Sequence, residues 1–158
     1  MSSQTPIVIG VADFINRSKL VEDAIEPLHL MLNALDSAIE DTGLSEASAQ
    51  QLKAAVDSLD VVRTWTWPYE DLPGLISKEL GIDPKRRHYT DHGGNQPGLI
   101  FDEAARRVAK GESRVAVVTG GEALASCEYA ILLPMTRQRL LLCIHFLGRF
   151  SDAFSRGF

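Results

Sequence analysis

The stretch that decides the fold is His88 to Glu122, HYTDHGGNQPGLIFDEAARRVAKGESRVAVVTGGE. It predicts a short strand over Arg87 to Thr90, a turn at Asp91-His92-Gly93-Gly94, and a helix over Gly98 to Ala109 that stops at Lys110-Gly111. A buried strand over Arg114 to Thr119 follows and ends at Gly120-Gly121-Glu122. A strand–glycine turn–helix–strand unit places a helix N-terminus at the carboxyl end of a parallel strand. Free backbone N–H groups and the helix dipole favour negative charge there, so a chemical site is expected at this turn.

Outward from this unit the chain keeps alternating strands with helices. Pro6 to Ala12 (PIVIGVA) is a β-branched run that predicts a buried parallel strand. Asp13 to Ala24 is polar and predicts a loop, either facing a ligand at the sheet's carboxyl edge or making a surface excursion. Pro27 to Thr42 predicts a helix with Leu28, Met31, Leu32, Leu35, Ala38 and Ile39 on one face, Pro27 in its first turn and Gly43 at its end. In that helix His29 reads as a surface residue rather than a ligand. Ser45 to Asp57 predicts a second helix with an incomplete capping box.

Ser58 to Thr64 predicts the second strand. Trp65, Trp67 and Tyr69 follow it, and these rings either line a pocket or cap the core. Asp71 to Leu80 predicts a helix with Asp71 as its N-cap and Gly81 as its stop. The strand over Arg114 to Thr119 is expected to be central and buried on both faces. This order predicts an α/β protein with a mostly parallel sheet and helices on both faces, βαβαβαβ.

Composition narrows the function classes. The 158 residues suit one domain with a real core. The net charge of −5, without a basic stripe, argues against nucleic acid as the main partner. Cys127 and Cys143 show no metal or redox spacing and fit a reducing setting. The opening MSSQTPIVIGVAD does not read as a signal peptide, and no run reaches the roughly 18 apolar residues of a membrane span. From Cys127 to Phe158 the pattern loses its period. The expectation is a domain over 1–126 and an atypical, poorly ordered tail over 127–158, such as a read-through or truncation product would carry.

At the turn, His92 with Asp91 reads as a base beside an orienting carboxylate, or as a half-exposed turn residue. Gly93 and Gly94 admit close backbone approach. Asn95 offers an amide to a carbonyl or caps the helix. Gly120 and Gly121 form a turn that Glu122 is expected to fix. No GxGxxG or P-loop pattern accompanies these glycines, and a Rossmann-type nucleotide binder also lacks the acid expected after them.

The segments IVIGVAD, EPLHLMLNALDSAIEDTG, DSLDVV and GGNQPGLIFDEAARRVAKGESRVAVVTGGEALAS give Ile7 to Ser126 a resemblance to the N-terminal half of thiolase-like proteins. The likeness includes the sterol-carrier-type thiolase branch of the acetyl-CoA acetyltransferases. The resemblance implies a five-layered α-β-α-β-α body of two similar halves, acyl transfer between coenzyme A thioesters, and a homodimer. In catalytic members a cysteine opens the helix after the third strand, where the dipole stabilises its thiolate. That position maps to Gly94 or Asn95, and neither is cysteine. The family's histidine and second cysteine come from the C-terminal half, beyond the matched region.

The resemblance thus implies an acyltransferase relative in lipid metabolism that lacks the nucleophile, with this chain alone expected to be inactive. The alternative is a non-catalytic interaction module on a thiolase framework, with a sheet edge that needs a partner. His92 and Asn95 are the catalytic candidates. Gly93, Gly94, Gly120 and Gly121 are the substrate-binding candidates. No metal or separate cofactor is expected, with a coenzyme A thioester as substrate. No membrane partner is expected, and the cytoplasm is the expected compartment, with the peroxisome or mitochondrion of the parent family kept open.

Overall fold

A computed structural model describes residues 5–18 and 20–123. The predicted tail over 127–158 and both cysteines lie outside the described residues. After a short 3-10 turn at Val21–Asp23 come the helices α1 (Pro27–Asp41) and α2 (Glu46–Ala55). Strand β1 (Ser58–Val61), helix α3 (Leu72–Leu80), strand β2 (Arg86–Tyr89), helix α4 (Gln96–Ala109) and strand β3 (Ala116–Thr119) follow. Among the described residues the strands form one parallel sheet in the order β2-β1-β3.

The helices start and stop where local chemistry directs. Pro27 lies in the first turn of α1, where its missing N–H costs nothing, and Gly43 just past its end takes φ +66°. The Ser45 hydroxyl accepts from the Ser48 N–H at the head of α2. The Asp71 carboxylate accepts from the Gly74 N–H at 2.9 Å, and Gly81 ends α3 in the left-handed conformation. Helix α4 starts two residues before its predicted bound, with Pro97 in its first turn.

Strand alternation divides the sheet into two faces. Leu59 and Val61 of β1 meet Leu28, Met31 and Leu35 of α1 and Leu72 and Ile76 of α3, and this is the main core. Tyr89 and Val117 from the flanking strands pack against it. The half-buried Tyr69 takes up its margin, accepting from the Leu28 N–H and donating to the Glu26 carboxylate. Burial raises the Tyr69 phenol well above its ordinary range; the Leu28 N–H opposes this, and the nearby Glu26 carboxylate adds to it.

The opposite face carries Ser58 and Asp60, and α4 lies over it with Ile100 and Ala104 buried. Arg107 of α4 donates to both Ser58 and Asp60. Helices therefore cover both faces, as expected from the sequence. His29 stays on the surface of α1, its Nδ1 3.2 Å from Glu26.

Two strand expectations are corrected. Pro6 to Ala12 forms no strand: it pairs with no strand among the described residues, with Ile7 77%, Val8 65%, Ile9 48% and Val11 72% exposed. Apolar β-branched composition favours a strand only where another strand supplies hydrogen bonds, and none does so among the described residues. The segment instead leans on α1. A Cβ at Gly10 would collide with the Ala38 carbonyl, and the Val11 N–H donates to Asp41 at 2.9 Å. The second correction concerns Arg114 to Thr119. Only Ala116–Thr119 is strand; among the described residues it pairs with β1 alone and is half-buried, whereas β1 is the central, fully buried strand.

Candidate functional site

The three parallel strands point their carboxyl ends the same way, and the loops leaving them meet there. Gly93 and Gly94, between β2 and α4, face Gly120 and Gly121, beyond β3, across an open cavity of about 430 Å³. Val62, Arg63 and Trp65 complete the wall from the end of β1, and Pro97 contributes from the first turn of α4. The size falls in the range of small-molecule sites.

Each wall has a local cause. A Cβ at Gly120 would lie 2.8 Å from Val62 Cβ, so a glycine lets the ends of β1 and β3 abut. Gly94 has open space around its missing Cβ. Arg63 is fixed by its Nε donating to the Thr90 carbonyl at 2.9 Å and by its guanidinium lying 4.5 Å from the Tyr89 ring centroid. The Thr90 hydroxyl accepts from the Arg63 N–H at 3.0 Å and donates to the Asp91 carbonyl.

The predicted residues divide into two groups. The four glycines line one cavity together. His92 and Asn95 stand beside it and are not part of its lining. The exposed His92 ring meets the Trp65 indole, ring centroids 4.4 Å apart, and not the Asp91 carboxylate. Asn95 occupies the N-cap position of α4 in a helical conformation and makes no side-chain cap bond, contrary to the capping reading. With no cap and no acidic residue in its first turn, α4 presents an uncompensated N-terminal dipole beside the cavity.

Glu122 fixes a different turn from the one expected. Its carboxylate accepts from the Trp65 N–H, the Thr66 N–H and the Thr66 hydroxyl, tying the loop after β1 to the end of β3. Of the three rings after β1, Trp65 lines the pocket and Tyr69 caps the core, so both readings hold at different positions.

Sequence reasoning overlooked the buried Asp60. Its carboxylate meets Arg107 and Ser58, with Arg86 Nε at 3.5 Å and His88 Nδ1 at 3.2 Å. A lone acid inside the apolar run SLDVV was the available signal. Asp60 lies on the α4 face of the sheet and holds that helix in place, away from the cavity lining.

Chemically, the cavity offers backbone, the Arg63 guanidinium, apolar surface, the Thr119 hydroxyl and the Glu122 carboxylate, whose oxygens already accept from Trp65 and Thr66. It can cradle a carbonyl. Among the described residues its lining includes no cysteine.

Comparison with known proteins agrees with this architecture. No family profile and no curated protein matches the chain. Among solved structures, a monomeric SCP2-thiolase-like protein type 1 from Mycobacterium smegmatis superposes with a TM-score of 0.61 at 24% sequence identity. The match covers 73% of this chain and 23% of that one, so this chain spans under a quarter of that neighbour's length. The parallel sheet, the helices on both its faces and this superposition together establish that the fold is thiolase-like and corresponds to part of one half of such a body.

Proposed function

We propose that the glycine-walled cavity is a binding site for the acyl end of a coenzyme A thioester, in a thiolase-like acyltransferase framework whose own half supplies no nucleophile. The observation that carries this reading is the meeting of Gly93-Gly94 and Gly120-Gly121 around one cavity beside the uncapped start of α4. Backbone without side chains lets a thioester come close, and helix N–H groups suit its carbonyl oxygen. Val62, Trp65 and Pro97 suit the acyl chain.

The test is calorimetric titration with acetyl-CoA. Gly94 has room for a side chain at its own backbone, so Gly94→Leu fills the cavity without a collision in the fold. Saturable binding by the native protein, weakened at least about tenfold in Gly94→Leu, supports the site; tenfold corresponds to about 1.4 kcal/mol. Equal affinity in both proteins removes it. Comparison of His92→Ala with Asn95→Ala then tells which side chain contributes.

A second reading is favoured by a separate observation. Ile7, Val8, Ile9 and Val11 are apolar and exposed, and among the described residues β3 pairs on one side only. Unpaired backbone beside apolar side chains is what an added strand covers, so an interaction module that accepts a β-strand is the alternative. Strong amide exchange protection of residues 7–11 on adding a candidate partner, without any acetyl-CoA binding, selects this reading.

A further inference from the structure

We infer that Glu122 is the positioning residue of this pocket, holding the Trp65-Thr66 turn so that the Trp65 indole stands against His92 and forms the aromatic wall that an acyl ligand meets. The inference deepens the thioester-site reading, and the geometry behind it stands separately. Strands β1 and β3 are parallel neighbours, with Val61 opposite Thr119. One further backbone bond, from the Val62 N–H to the Thr119 carbonyl at 2.9 Å, closes the pairing, and beyond it both chains run into loops. Glycine at 120 keeps the two chains in contact past the last pair, because any Cβ there would meet Val62. That contact brings Glu122 to the loop after β1.

There one carboxylate receives three donors. The Trp65 N–H and the Thr66 hydroxyl go to different oxygens, the hydroxyl at 2.6 Å, and the Thr66 N–H lies 3.3 Å from the second oxygen. Bonds to both oxygens fix the rotation of the carboxylate as well as its place, and charge makes each stronger than a neutral pair. The consequence is selective within the turn. Thr66 is buried by this attachment, while Trp65 remains half in solvent and extends over the turn before α4. Its ring finds His92 at a centroid distance of 4.4 Å with planes 42° apart. One carboxylate just beyond β3 thereby sets the spacing between the loops that follow β1 and β2. Those loops form two sides of the cavity.

The readout is the proton spectrum of the His92 ring. An indole at this distance shifts the imidazole protons through its ring current, and Trp65→Ala defines the size of that shift while Trp67→Phe leaves it unchanged. Glu122→Ala is expected to abolish the shift, and Glu122→Gln, which keeps one acceptor oxygen, to retain part of it. Thr66→Val removes one bond of the three and serves if Glu122→Ala does not fold, with a reduced shift expected. A role confined to stability lowers the unfolding midpoint and leaves the His92 shift at full size. A full-size shift in a folded Glu122→Ala, or in both Glu122→Gln and Thr66→Val, overturns the inference. Acetyl-CoA affinity is expected to fall about fivefold in Glu122→Gln, the worth of one lost hydrogen bond. If the His92 shift responds as expected and the native protein binds no acetyl-CoA, Glu122 keeps its role and the thioester reading fails.

Discussion

The Arg107 guanidinium of α4 donates to the carboxylate of Asp60, which is wholly buried in the central strand. This pair connects the helix beside the cavity to the sheet. Arg107 takes a sheet-facing position one turn beyond the buried Ala104. Removing the acid leaves a half-buried guanidinium whose Nε has no partner among the described residues. Asp60→Ala is therefore expected to destabilise the protein by about 3–5 kcal/mol, as loss of one member of a buried pair does. Urea unfolding measures it, and an unchanged midpoint would show that α4 does not depend on this pair.

Acid sensitivity is expected at the other end of the sheet. Asp57 accepts from the Ser113 hydroxyl, the Arg114 N–H at 2.9 Å and the Val115 N–H at 3.4 Å, joining the starts of β1 and β3. Partial burial pushes its carboxyl up, but the Ser113 hydrogen bond, the two N–H groups and the Arg114 charge together hold it below the ordinary range. The folded state thus binds this proton less readily than the unfolded state. The stabilisation is complete above the unfolded value, about pH 4, and is lost as pH falls through the lower folded value. Urea midpoints between about pH 2 and 5 should fall less steeply in Asp57→Asn than in the native protein. Parallel curves would remove Asp57 from the acid transition.

The exposed segment before α1 gives a contrast in core mutations. Leu59, buried in β1, is expected to cost about 2–5 kcal/mol on replacement by alanine. Ile7→Thr and Val8→Thr, at exposed positions, are expected to stay within about 0.5 kcal/mol. Chemical denaturation of the three variants decides the matter. A core-sized loss at Ile7 or Val8 would mean that the segment is paired in solution.

That contrast also marks how far the sequence could be read. The helices were legible because their signals are local: Pro27 and Gly43 bracket α1, and Asp71 and Gly81 bracket α3. The glycine pairs were legible as one site because alternation of strand and helix sends Gly93-Gly94 and Gly120-Gly121 to the same sheet edge. Strand order was not legible, since pairing joins residues far apart in the chain. Hence PIVIGVA reads as a buried strand although nothing described pairs with it, and Arg114 to Thr119 reads as central although β1 holds that place. Side-chain reach was hidden for the same reason. Glu122 bonds a turn more than fifty positions earlier, and Asp60 finds its partners on β2 and α4.

Amide chemical-shift mapping during titration with acetyl-CoA reads binding and its location together. Saturable shifts are expected at Gly93, Gly94 and Gly98 near the start of α4 and at Gly120 and Gly121 beyond β3, with the amides of α2 unmoved. Saturable shifts that avoid both glycine pairs, or no shifts at millimolar acetyl-CoA, would contradict the thioester site.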